Sequence, residues 1–94
     1  GIKTREQIEA TVKAVAPKPV NFLNSGPFGH TVSGLAAMGV RRISVGGTLA
    51  RVAMNAFINS ARAIANDGKF DSFAGVITNA ELNTFFSDDL KKRS

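Results

Sequence analysis

The chain has 94 residues and a mass of 9.9 kDa, enough for one domain at most and far short of the about 250 residues of a complete eightfold β/α barrel. With 44% hydrophobic and 20% charged residues and a mean hydropathy near zero, the composition is that of a globular protein and excludes disorder for most of the chain. Twelve Lys and Arg against seven Asp and Glu give a net charge of +5 and a pI near 10.3, so an acidic partner deserves consideration.

The charge positions argue against nucleic acid. Lys3, Arg5, Lys13, Lys18, Arg41, Arg42, Arg51, Arg62 and Lys69 are dispersed, and only Lys91-Lys92-Arg93 forms a run, read as a solvated tail. No basic stretch is interleaved with aromatic residues. The absence of cysteine removes disulfides, thiol catalysis and thiolate metal sites, so the domain depends on its own core or on a partner. No apolar stretch reaches the roughly 20 residues of a membrane span, and Gly-Ile-Lys-Thr-Arg-Glu lacks a signal-peptide core. A cytoplasmic protein is expected, with neither membrane nor nucleic acid as partner. Gly1 in place of Met leads us to expect that the sequence does not begin at a natural translation start.

Thr4-Arg5-Glu6-Gln7 has the form of a capping box and predicts a helix from that point, with Ile8, Val12 and Val15 on one apolar face and Pro17 and Pro19 ending it. Pro19 to Leu23 is short, rich in β-formers and lacks polar alternation, as for a strand buried on both faces. Asn24 to His30 carries two Gly and one Pro in seven residues and is a loop. Thr31 can cap a second, two-turn helix with Val32, Leu35, Ala36 and Met38 facing inward, and Gly39 followed by Val40 fits a Schellman ending.

Arg41 to Val45 predicts a second strand closed by Gly46-Gly47. The connection between the strands is long enough to hold a helix, which makes them parallel neighbours in a βαβ unit. A long helix follows from Gly47 or Thr48 to about Asn66, ended by Asp67-Gly68. Its polar residues Arg51, Asn55, Asn59, Arg62 and Asn66 form one narrow stripe. The wide apolar remainder predicts packing on a second body as well as on its own sheet. Thr78-Asn79-Ala80-Glu81 starts a terminal helix through Leu82, Phe85 and Phe86. Two parallel strands are not a stable sheet, so further strands must come from copies of this chain or from a longer polypeptide.

Lys18-Pro-Val-Asn-Phe-Leu-Asn24, then Gly34-Leu-Ala-Ala-Met-Gly-Val-Arg-Arg-Ile-Ser-Val-Gly-Gly-Thr-Leu-Ala-Arg51, and finally Ala65-Asn-Asp-Gly-Lys-Phe70 resemble, in this order and spacing, the C-terminal part of the isocitrate lyase/phosphoenolpyruvate mutase superfamily, in particular its phosphonomutase-like and 2-methylisocitrate lyase-like members. The resemblance covers roughly residues 1–75. It implies an α/β chain forming the C-terminal portion, the last two β/α units, of a (β/α)8 TIM barrel with an extra C-terminal helix. Residues 1–75 would be the barrel units and 76–94 the C-terminal helix and basic tail. It further implies a Mg²⁺-dependent enzyme, a carbon–carbon lyase or phosphonomutase, that makes or breaks C–C or P–C bonds of small 2-oxo or carboxylic acids. The implied partners are the remainder of the barrel and a homo-oligomer that exchanges its C-terminal helix.

The superfamily's metal-binding acidic residues and its lid loop belong to earlier strands, so no metal ligand and no catalytic residue is assigned here, and the chain alone is expected to be inactive. Barrel enzymes place their sites on loops after the C-terminal ends of strands. After the first strand, Asn21, Asn24 and Ser25 offer groups suited to carboxylate or phosphonate oxygens, although Asn24 and Ser25 can equally just make the turn. The Asn-Met-Thr-Glu pattern of related lyases is incomplete, which weighs against 2-methylisocitrate as substrate. After the second strand, Gly46-Gly47-Thr48 at a helix N-terminus can cradle an anion or simply form a strand exit and helix cap. His30, the only histidine, has no identifiable acidic orienter and is read as a solvated loop residue, and Arg41-Arg42 as a salt-bridging pair at the end opposite the site. The other reading of the whole chain is a stand-alone oligomeric βα module that binds small anions.

Overall fold

The structure is a computed structural model that describes residues 1–93. It divides into two compact units, Gly1–Asn55 and Ala56 to the C-terminus. The first contains α1 (Arg5–Val15), β1 (Asn21–Leu23), α2 (Val32–Ala37), β2 (Arg42–Ser44) and the start of α3 (Thr48–Asp67). The second contains the remainder of α3, a 3₁₀ turn at Asp71–Phe73 and α4 (Asn79–Arg93).

Local chemistry fixes the helix ends. At α1 the Thr4 hydroxyl accepts from the Gln7 amide at 3.2 Å and the Gln7 side chain accepts from the Thr4 amide at 3.0 Å, a complete capping box. The Thr31 hydroxyl accepts from the Gly34 amide at 3.0 Å and opens α2. At its other end the Val40 amide donates to Leu35 and the Gly39 amide to Ala36, the two bonds of a Schellman motif, with Gly39 at φ +97°. Here glycine is required twice over. The backbone is left-handed, and a Cβ would stand 2.7 Å from Cγ1 of Val12.

β1 and β2 pair in parallel, with Asn21 opposite Arg42, Phe22 opposite Ile43 and Leu23 opposite Ser44. The core lies on one side of this ladder, where Phe22 packs with Ile8, Leu35 and Val40, flanked by Val12, Phe28, Met38 and Ile43. The other side is uncovered, and here three sequence expectations need correction. β1 is not buried on both faces, since Asn21 and Leu23 are exposed. Val32 is 74% exposed and Ala36 is exposed as well, because α2 offers the sheet only the face that carries Leu35, so neither faces inward as expected. Val15 is also exposed, past the point where α1 leaves the core.

In α3 no residue is buried, and Leu49, Val52, Met54 and Phe57 are all more than half exposed. The wide apolar face expected from the sequence is present, but the expected packing on its own sheet is not: α3 buries no side chain there, and no second body covers it among the described residues. In the second unit Phe57, Ile64, Phe73 and Val76 line an open apolar groove, while Phe85, Phe86 and Leu90 of α4 are exposed. The run Lys91-Lys92-Arg93 forms the last turn of α4, where positive charge suits the carbonyl end of a helix and Arg93 pairs with Asp89 at 2.9 Å. No described helix is long and apolar enough to cross a membrane.

Two contrasts test this packing. Gly39→Ala and Gly68→Ala both force alanine into left-handed backbone, costing about 1–2 kcal/mol each. Only Gly39 has Val12 in the way, so it should lose a further about 1–3 kcal/mol in denaturant titrations; equal losses would contradict the close approach. Likewise Leu35→Ala should cost about 2–5 kcal/mol and Val32→Ala about 0.5 kcal/mol or less, measured the same way.

Candidate functional site

Because the strands are parallel, the segments that follow them leave the sheet at the same end. Backbone and side-chain bonds then join them. The Asn24 amide donates to the Ser44 carbonyl at 2.8 Å and carries the ladder one residue past β1. Val45 follows β2, Gly46 turns the chain at φ +57°, and the Thr48 amide donates back to the Val45 carbonyl at 3.2 Å as α3 begins. The Thr48 hydroxyl donates to the Ser25 carbonyl at 3.2 Å, which ties the start of α3 to the loop after β1. Nη2 of Arg51, one turn further on, donates to the same hydroxyl at 3.3 Å.

These contacts border a cleft of about 430 Å³ lined by Asn24, Ser25, Thr48, Arg51, Val52 and Asn55, together with Gly26 and Pro27. Its walls carry amides, hydroxyls and one guanidinium, with no acidic side chain. Such a surface can bind and orient an anion. Oδ1 of Asn24 is fully buried and accepts from no group among the described residues, an arrangement that costs about 1–3 kcal/mol until a donor reaches it.

The residues singled out in the sequence fall into three places. Asn24 and Ser25 line the cleft, and Gly46 and Gly47 form the turn that delivers Thr48 to it. Asn21 stands apart. It lies within the ladder on the uncovered face of the sheet, where its Nδ2 donates to Oγ of Ser44 at 2.9 Å and its Oδ1 accepts from Nη1 of Arg42 at 3.2 Å. Arg42 therefore serves a side-chain amide rather than a carboxylate, and Arg41 donates to the Val40 carbonyl at 3.3 Å, so the expected salt bridges do not form among the described residues.

His30 is not a solvated loop residue. Its Nε2 bonds the Lys3 carbonyl at 2.7 Å and its ring meets Phe22 edge-on at 5.4 Å, which makes it a strut between the N-terminal segment and the core. Thr48 lines the cleft, as the Gly46-Gly47-Thr48 turn leads one to expect, whereas Arg51 and Asn55 are not assigned to the site by the sequence. The spacing of four between Arg51 and Asn55 at the head of the polar stripe was the available signal, but it reads equally well as a solvated helix face. No described group of three or more His, Asp or Glu could hold a metal ion.

Residues 1–65 match the phosphoenolpyruvate phosphomutase family. The crystal structure of a candidate lyase/mutase from Burkholderia cenocepacia J2315 is similar to this chain, with a TM-score of 0.79 and 37% sequence identity, over 93% of this chain and 31% of that one. The chain thus spans less than a third of the length of that protein. No curated protein matches it. With the family matched over more than half of the sequence and the order of helices and parallel strands in accord, the chain belongs to the phosphoenolpyruvate phosphomutase family of the isocitrate lyase/phosphoenolpyruvate mutase superfamily.

Proposed function

We propose that this chain supplies the last two β/α units and a C-terminal helix of a (β/α)8 barrel, and that the complete barrel makes or breaks a C–C or P–C bond next to the carboxylate of a small 2-oxo or carboxylic acid. The observation that carries this reading is the joining of the two loops at the C-terminal end of the strands, Thr48 to Ser25, around a cleft with polar and cationic walls. That is the end at which barrel enzymes bind substrate. An apolar groove of about 340 Å³ beside β1, lined by Ile2, Ile8, Val20, Leu23 and Phe28 among others, offers the place for the preceding strand.

In this reading Asn24 and Ser25 hold and orient anionic oxygens of the substrate, and the turn at Gly46-Gly47 closes the cleft from the other side. Asn21, Ser44 and Arg42 would lie inside the barrel as a hydrogen-bonded layer beneath the site. The family is generally Mg²⁺-dependent. The acidic residues of this chain do not fit such an ion, because Glu6 and Glu9 lie on α1 and Asp67, Asp71, Glu81, Asp88 and Asp89 follow in α3, the 3₁₀ turn and α4, none of them at the cleft. Metal ligands and proton-transfer groups are assigned to the remainder of the barrel, and the role of this segment is binding and positioning. Copies of the chain exchanging the C-terminal helix would cover Phe85, Phe86 and Leu90.

The purified 94-residue chain should give no Mg²⁺-dependent turnover of phosphonopyruvate, oxaloacetate or 2-methylisocitrate, whereas the same segment within a complete barrel should turn over one of them. Turnover by the chain alone would contradict the assignment. A closed homo-oligomer of the chain that binds small anions without turnover would favour the stand-alone module instead.

A further inference from the structure

We propose that Arg51 is a specificity-determining residue that binds the second anionic group of a small dianionic substrate, a carboxylate or phosphonate, with Asn24 and Ser25 holding the first; this rests on the substrate site proposed above. Arg51 is the one ionisable side chain among the residues lining the cleft. Among the described residues it makes no ion pair, and its recorded bond is the 3.3 Å donation to the Thr48 hydroxyl. That bond uses one of five guanidinium N–H groups and leaves the others to a ligand. It also links the head group to the loop after β1, because Thr48 itself bonds Ser25. The guanidinium is therefore held beside the loop that carries Asn24 and Ser25, without an acidic side chain in the cleft to neutralise it.

The lining of this open cleft extends along α3. From Thr48 to Asn55 the helix rises about 10 Å, so the cleft reaches from the strand ends to the third turn of α3, with Arg51 between and Val52 as an apolar wall. A monoanion can be satisfied at the Asn24–Ser25 end alone. A dianion places its second charge against Arg51, where a charge-assisted, bidentate bond is available. The polar stripe of α3 thus divides in role: Arg51 and Asn55 line the cleft, while Arg62 on the same helix lines none of the cavities described here and serves as its control.

The test uses the protein that carries this sequence in its native assembly, with phosphonoacetate as the probe and malonate in parallel to tell a phosphonate from a carboxylate site. Arg51→Gln should weaken binding of the preferred probe by about tenfold or more, Arg51→Lys should restore part of the loss, and Arg62→Gln should leave binding unchanged. Binding of either probe that depends on Arg51 upholds the assignment; equal affinity for wild type and Arg51→Gln overturns it. Should Arg51→Gln fail to fold, the Nε–H resonance of wild-type Arg51 decides: it should shift on titration with the dianion and stay still with acetate, and no shift with either dianion overturns the assignment. Where the protein turns over a dianionic substrate, Arg51→Gln should raise KM with little change in kcat, and an unchanged KM overturns the role of Arg51 while sparing the proposed reaction. Arg51-dependent binding without turnover in a complete barrel does the opposite.

Discussion

The parallel pairing of Asn21–Leu23 with Arg42–Ser44 fixes most of the first unit. It sets Phe22 against Ile8, Leu35 and Val40 on one face, and it brings the segments after both strands out at one end, where Thr48 can reach Ser25. The same pairing leaves two unsatisfied edges and one bare face that shows Asn21, Leu23 and Arg42 to solvent. Three residue pairs of ladder cannot stand as an independent sheet in water. The core and the cleft therefore rest on an element that is itself incomplete, and the need for further strands is a physical property of the sheet.

Two further features agree with that need. α3 carries apolar side chains around most of its circumference yet buries none of them, and a polar triad of Asn21, Ser44 and Arg42 is already hydrogen-bonded on the face that lacks a cover. A surface meant for water has no cause to bear Leu49, Val52, Met54 and Phe57 together. In the proposed barrel the first feature meets neighbouring helices or a second copy, and the second becomes a layer of the interior below the substrate.

What the sequence made legible is what local chemistry controls. The capping box at Thr4, the caps at Thr31 and Thr78, the Schellman glycine at position 39 and the stop at Gly68 each depend on a few adjacent residues, and the helix boundaries followed from them. Parallel pairing was legible from the length of the connection. Burial was less so: Val32 looks like a core residue by spacing, but α2 is only six residues long and turns a single side chain, Leu35, fully into the core. Of the site, Asn24 and Ser25 were visible as polar loop residues after a strand. Arg51 was not, because its meaning comes from the Thr48–Ser25 contact across 23 positions of sequence, which no local pattern encodes. For the same reason His30 read as a loop residue until its bond to Lys3, 27 positions away, gave it a structural task.

The central claim is that the two-stranded sheet is completed by the other strands of a barrel, so that the cleft is one wall of a larger site. The most direct measurement is the mass of the purified material under denaturing conditions, paired with its native mass by light scattering. The account predicts a longer polypeptide, or a companion of roughly 20 kDa that brings the total to a barrel of ordinary length. A single 9.9 kDa species assembled into a closed homo-oligomer would contradict it.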